Sequence, residues 1–167
     1  WSSDVCSSDL DRRRHRGVRV MDDFLALGPL IKSRLRELLP PEVFILDAQD
    51  LAGVMESQQP ASAVHVLYGG HATKTANAAW EDVEQIWHTV IVVRNVAGLP
   101  GVAPGNQDAG PLMMQVIKAL RPWVPGIDAA GSLHLANPLR TAFKAGFGYY
   151  PLAWKTTLRV PVRPART

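Results

Sequence analysis

Fourteen residues in the middle of the chain, VEQIWHTVIVVRNV from Val83 to Val96, alternate over their whole length and read as one long β-strand. Val83, Gln85, Trp87, Thr89, Ile91 and Val93 fall on one face, and Glu84, Ile86, His88, Val90, Val92 and Arg94 on the other. The first half has the pattern of a half-exposed strand and the second is apolar on both faces. The strand is therefore expected to begin at a sheet edge and run into the sheet interior. A chain built around such a strand needs a sheet with layers to cover it.

The remaining periodicities supply those layers. In MDDFLALGPLIKSRLRELLPP, Phe24, Leu27, Ile31, Leu35 and Leu38 form one helical stripe opposite Lys32, Ser33, Arg36 and Glu37. Asp22 and Asp23 suit the positive end of the helix dipole, and Pro40-Pro41 ends the helix. Gly28-Pro29 places the helix start near Pro29 or a kink there. VFILDA, residues 43–48, reads as a largely buried strand. SAVHVLY, residues 62–68, reads as a second strand closed by Gly69-Gly70. Between these two, AQDLAGVMESQQP holds one helical turn or none.

Ala97 to Gly110 reads as loop, and a second helix begins near Asp108 or Pro111. It carries Leu112, Met113, Val116, Ile117 and Leu120 and ends at Pro122. From Leu133 to Val162 come strand-like pieces interrupted by Pro138, Gly146, Gly148 and Pro151, the best being LAWKTTLRV, residues 152–160. The expected fold class is α+β: a mixed, mainly antiparallel β-sheet of four to five strands with two main helices packed on one face.

The opening WSSDVCSSDL has no usable apolar period, and it matches residue for residue the in-frame translation of a standard short-read sequencing adapter. Residues 1–20 are accordingly expected to be a non-native, disordered leader. Residues 21–162 are expected to form a single domain that starts at Met21, and residues 163–167 a flexible tail. The leader holds Cys6, the only cysteine, and five arginines against three aspartates. With it set aside, disulfides, thiolate catalysis and cysteine-ligated zinc drop out. The remaining charge is close to balanced, so no nucleic-acid specificity is expected. No apolar run approaches the roughly 18 residues of a membrane helix, and no membrane partner is expected.

Catalytic patterns are sparse. There is no G-x-S-x-G turn for a nucleophilic serine. His65 and His71 stand six apart across Gly69-Gly70, and His88 and His134 stand alone; none has the spacing of a metal site. Asp47 and Asp50 follow a strand, where active-site carboxylates lie and where turns also use aspartate. LPGVAPGNQDAG precedes a helix, as phosphate loops do, but lacks the Lys-Ser/Thr and the G-x-G-x-x-G spacing. No catalytic residue, cofactor or metal is therefore expected. Trp80, Trp87, Trp123 and Trp154 are core residues or interface anchors. The long segment 97–110 is the first place to look for contacts between subunits.

Taken in order, these features resemble a known family. An amphipathic helix, V-F-I-L-D-A, V-H-V-L-Y-G-G, Q-I-W-H-T-V-I-V-V-R-N, a Gly/Pro loop and a helix ending A-L-R-P-W-V-P are together similar to the tail terminator proteins of tailed phages. The likeness is to the small terminators of Mu-type phages and prophages, and more distantly to minor tail protein U of lambda-type phages. It covers roughly residues 21–162 and rests on patterns rather than on a catalytic motif. It implies a structural virion protein assembled in the host cytoplasm: a ring homo-oligomer, hexameric in the family, that caps the tail tube protein, stops its polymerisation and offers a surface to the head-completion or neck protein.

No residue role carries over from the resemblance. Arg94, Asn106, Asp108, Arg140 and Lys144 are the candidate interface residues, chosen as polar groups on expected surface elements that can supply complementary charge across a ring; each can equally be a solvated surface residue. Two other classes stay open: a head-tail connector of the same assembly, and a small hydrolase or nucleotide-binding enzyme using Asp47, Asp50 and a histidine.

Overall fold

A computed structural model describes residues 23–47, 60–94, 106–127 and 130–162. The leader, Asp50, most of the expected loop and the tail lie outside them. The first helix, α1 (Leu27–Leu38), starts two residues before Pro29. The proline therefore sits in the first turn, where its missing N–H is not needed, and no kink arises. Asp23 Oδ1 accepts a hydrogen bond from Leu25 N at 2.8 Å just ahead of it. Leu27, Ile31, Leu35 and Leu39 are buried at a spacing of four. Leu39 therefore replaces the expected Leu38, which is exposed, because the last inward position falls one residue past the helix. Burial of each such side chain contributes about 1.5–3 kcal/mol.

The sheet has six strands, more than the four to five expected: β1 (Phe44–Asp47), β2 (Ser62–Ala76), β3 (Trp80–Arg94), β4 (His134–Ala136), β5 (Ala142–Lys144) and β6 (Phe147–Pro161). Their order is β1-β2-β3-β6-β4, with β5 also paired to β6. Only β1 with β2 is parallel, and the other pairs are antiparallel. The expected long strand is the central one. Contrary to the sequence reading it does not start at an edge, since β3 is flanked by β6 from Trp80↔Pro161 to Arg94↔Phe147 and by β2 from Glu81↔Ala76 onward. Its half-exposed first part reflects one uncovered face, not an unpaired side.

Gly69-Gly70 does not close β2. The strand continues to Ala76, and the pair forms a bulge: the register slips between Tyr68 and Gly70, and Gly70 has φ 110°, a backbone state that a side chain disfavours. The hairpin turn lies later, where Asn77 Oδ1 accepts from the amides of Ala79 (2.8 Å) and Trp80 (3.0 Å). Likewise β6 runs through Gly148 and Pro151. Pro151 stands between the stretch of β6 paired to β5 (147–149) and that paired to β4 (153–155). A residue without an N–H is tolerated there because β6 locally lacks a second neighbour.

The second helix, α2 (Asn106–Leu120), begins before Asp108 and encloses Pro111, so residues 106–110 of the expected loop are helical. Ala109, Leu112, Val116, Ala119 and Leu120 pack with the α1 stripe onto one sheet face, against Ile45, Val64, Val66, Trp87, Ile91, Leu152 and Trp154. Arg34 Nε donates to Ala119 O (3.3 Å) and ties the helices together. The opposite face has its own smaller apolar cluster, Ala63, Val90, Val92 and Phe147, with Leu46, Leu67 and Tyr149 against it.

Candidate functional site

The topology gathers the strand ends of the chain at one end of the sheet: the start of β1, the start of β2, the end of β3, the end of β5 and the start of β6. Arg94 and Lys144 are both in register with Phe147, one on each side of it. At a strand spacing of about 4.8 Å their backbones lie roughly 10 Å apart, with Phe147 buried between them. Arg140 precedes β5 by two residues. All three cations are exposed. Arg94 and Arg140 take part in no ion pair among the described residues. At 0.1 M salt the screening length is about 10 Å, so Arg94 and Lys144 repel each other only weakly across Phe147.

Asn106 and Asp108 stand in the first turn of α2; nothing beyond their backbone is described. The residues just after them, Ala109, Gly110 and Met113, line a shallow notch with Thr141, Phe143 and Tyr150. The first turns of α2 therefore lie near β5 on the helix-covered face, whereas Arg94 and Lys144, in register with Phe147, stand on the opposite face with the smaller apolar cluster; the five residues chosen from sequence do not form one patch.

Sequence reasoning missed the apolar members of this end. Leu139 is 61% exposed, Phe143 59% and, across the sheet at the start of β1, Phe44 55%. Phe143 meets Tyr150 edge-on at 6.0 Å and leaves its other side to solvent. The signal was present in ANPLRTAFKAGFG: large apolar residues alternating with cations in a Pro/Gly-rich segment that has no helical or strand period of its own.

The opposite end of the sheet is a three-stranded arm of β2, β3 and β6 with its charges already matched. Arg159 Nε and Nη2 donate to Asp82 Oδ1 (2.8 Å) and Oδ2 (3.1 Å), which holds the Asp82 carboxyl below its ordinary range. Lys74 and Lys155 both approach Glu84, at 3.2 and 3.9 Å. Trp80, 39% exposed, has the Arg159 guanidinium 5.1 Å over its ring. The other tryptophans divide: Trp87 and Trp154 are core, and Trp123 packs half-buried against it.

The groups considered for chemistry do not converge. His65 is buried, its Nδ1 3.3 Å from the Asp47 carbonyl, while His71 is exposed and bonded to the Tyr68 hydroxyl at 2.7 Å. Asp47 pairs with Lys32, and Asp50 lies outside the described residues. His88 is half-buried with Nδ1 unpartnered, and burial pushes its pKa down. Ser132 Oγ lies 2.8 Å from His134 Nε2, but no carboxylate orients that histidine among the described residues, and the pair is exposed. No group of three or more His, Cys, Asp or Glu among the described residues is placed to hold a metal ion. No described helix is long and apolar enough to cross a membrane.

The family model for the phage tail terminator protein matches residues 21–164. No curated protein matches the chain.

Proposed function

The chain belongs to the phage tail terminator protein family, and on that premise we propose that it caps the end of a growing tail tube as a ring of identical subunits, six in number. Membership makes it a structural protein of phage tail assembly, located in the virion tail. The finer reading is that one face of the ring docks on the last ring of tube protein and ends its polymerisation, while the other forms the joining surface for the head-completion or neck protein. Such a device must copy the docking surface of the tube on one side and withhold it on the other.

The observation that carries this reading is the extent of the family match, which spans both helices and all six strands. The sheet end described above is consistent with it. Cations and large apolar side chains are presented at strand ends held by the core, which suits recognition of a fixed protein surface better than turnover of a small substrate.

The test is direct. Tube protein is polymerised with and without substoichiometric amounts of the full chain, and tube lengths are measured by electron microscopy. Shortened, uniformly ended tubes are expected; identical length distributions would sink the proposal. Binding to a purified connector ring instead of to tubes would move the protein to the neck.

A further inference from the structure

We propose that the connection from β1 to β2 crosses the sheet on the face away from the helices, and that it is what covers the smaller apolar cluster there. On that face Ala63, His65 and Val92 are fully buried, and Val90 and Phe147 nearly so. Every described member of the cluster is nevertheless a strand residue. Side chains in the middle of a bare sheet face meet water, so the cover comes from outside the described residues.

Two parallel neighbours cannot be joined by a tight turn. β1 ends at Asp47, level with Val66, and β2 begins at Ser62, so the chain must return about 13 Å along the sheet over one of its faces. Handedness chooses the face. Viewed with its side chain toward the observer and its strand running up, an L-residue points its own N–H and C=O to the right. Arg94 is on the face away from the helices, and its amide donates to Ala61 O (3.0 Å) on the β2 side. From that face, with β3 running up, β2 therefore lies to the right and runs down, and β1 lies beyond it, also running down. Turned so that β1 runs up, β2 stands on its right, and a right-handed connection passes between sheet and observer, over that same face. Such connections are right-handed in about 98% of cases. The bond from Val162 N to Ala79 O (3.0 Å), on the β6 side of β3, gives the same sense.

The other route is closed, because over β1 and β2 the helix-covered face is filled by the α1 stripe packed with Ile45, Val64 and Val66. The fourteen residues 48–61 suffice for a crossing that takes about a dozen. They carry Leu51, Val54 and Met55, spaced as one apolar stripe. The other long connection, 95–105, leads from β3 to α2, which packs on the helix-covered face, and has no need to cross the opposite one. The chain itself thus closes the β1–β3 part of this face to further copies and to tube protein.

The experiment is a methyl NOESY spectrum of the full chain. Methyls of Leu51, Val54 and Met55 are expected to show cross-peaks to Ala63, Leu67, Val90 or Val92 and none to Ile31, Leu112 or Val116. Cross-peaks to the helix-side set, or to neither set, overturn the proposal. A second measurement uses Cys6→Ser chains with one introduced thiol. Exchange of Leu51, Val54 and Met55 together for serine should make Val92→Cys react with Ellman's reagent roughly a hundredfold faster, while Ile91→Cys on the other face stays protected. An unchanged Val92→Cys rate overturns the proposal as well; if both thiols are released, the fold has been lost and the NOESY result decides.

Discussion

Replacing Gln85 with leucine probes the joint between α1 and the sheet. Gln85 is fully buried; its Nε2 donates to the Phe24 carbonyl at 2.7 Å, and its Oε1 accepts from Trp87 Nε1 at 3.0 Å. Trp87 in turn packs so closely on α1 that a Cβ at Gly28 would come 2.8 Å from its ring. Leucine fills the volume but offers neither bond. The buried indole N–H loses its partner at a cost of about 1–3 kcal/mol. The Phe24 carbonyl is only half-buried, so water replaces much of its loss. The added apolar burial returns about 1 kcal/mol.

The expected net loss is about 2 kcal/mol, which for a chain of this size lowers Tm by roughly 4–8 °C. Urea and thermal unfolding followed by circular dichroism measure it. A double-mutant cycle sharpens the test: with Trp87→Phe the indole N–H is gone, and Gln85→Leu should cost at least about 1 kcal/mol less than in the wild type. Equal costs in the two backgrounds, or a single-mutant loss under about 0.5 kcal/mol, would refute the reasoning.

Two further outcomes concern the bulge. A Cβ at Gly69 would lie 2.5 Å from His88 Nε2 and 2.6 Å from its Cδ2, so Gly69→Ala should displace the imidazole and destabilise by about 1–3 kcal/mol; an unchanged urea midpoint would contradict this. His88 itself, its pKa lowered by burial, should titrate by NMR with a midpoint below the ordinary value of about 6.5. The unfolded chain then takes up its proton at a higher pH than the folded one. The contribution of His88 is therefore fully present above about pH 6.5 and declines as pH falls toward the folded midpoint, a slope that His88→Leu should remove.

The parts of the fold that were legible in the sequence are those decided locally. The alternation of 83–94 and the four-residue spacing of Leu27, Ile31 and Leu35 mark one buried face each, and the structure buries those faces. The misreadings arose where a local signal has two tertiary meanings. Gly69-Gly70 serves a tight turn or a bulge equally well, and what distinguishes them is the strand opposite, here the His88 ring lying over Gly69. Pro151 breaks a strand that has two neighbours and is harmless in one that has a gap. The candidate site depends on topology in the same way. Nothing in the spacing of Arg94 and Lys144 says that β6, a later strand, will insert between β3 and β5 and set both against Phe147.

That insertion also orders events during synthesis. The β2–β3 hairpin is local and can form as soon as Arg94 has been made, but it then presents β3 with one entire side unpaired. None of the fifteen pairs between β3 and β6 can form until translation has passed Phe147, and β4 and β5 have no place to dock before then. The nascent chain therefore carries a long, apolar, half-finished edge through much of its time on the ribosome, the situation in which chaperone capture competes with aggregation.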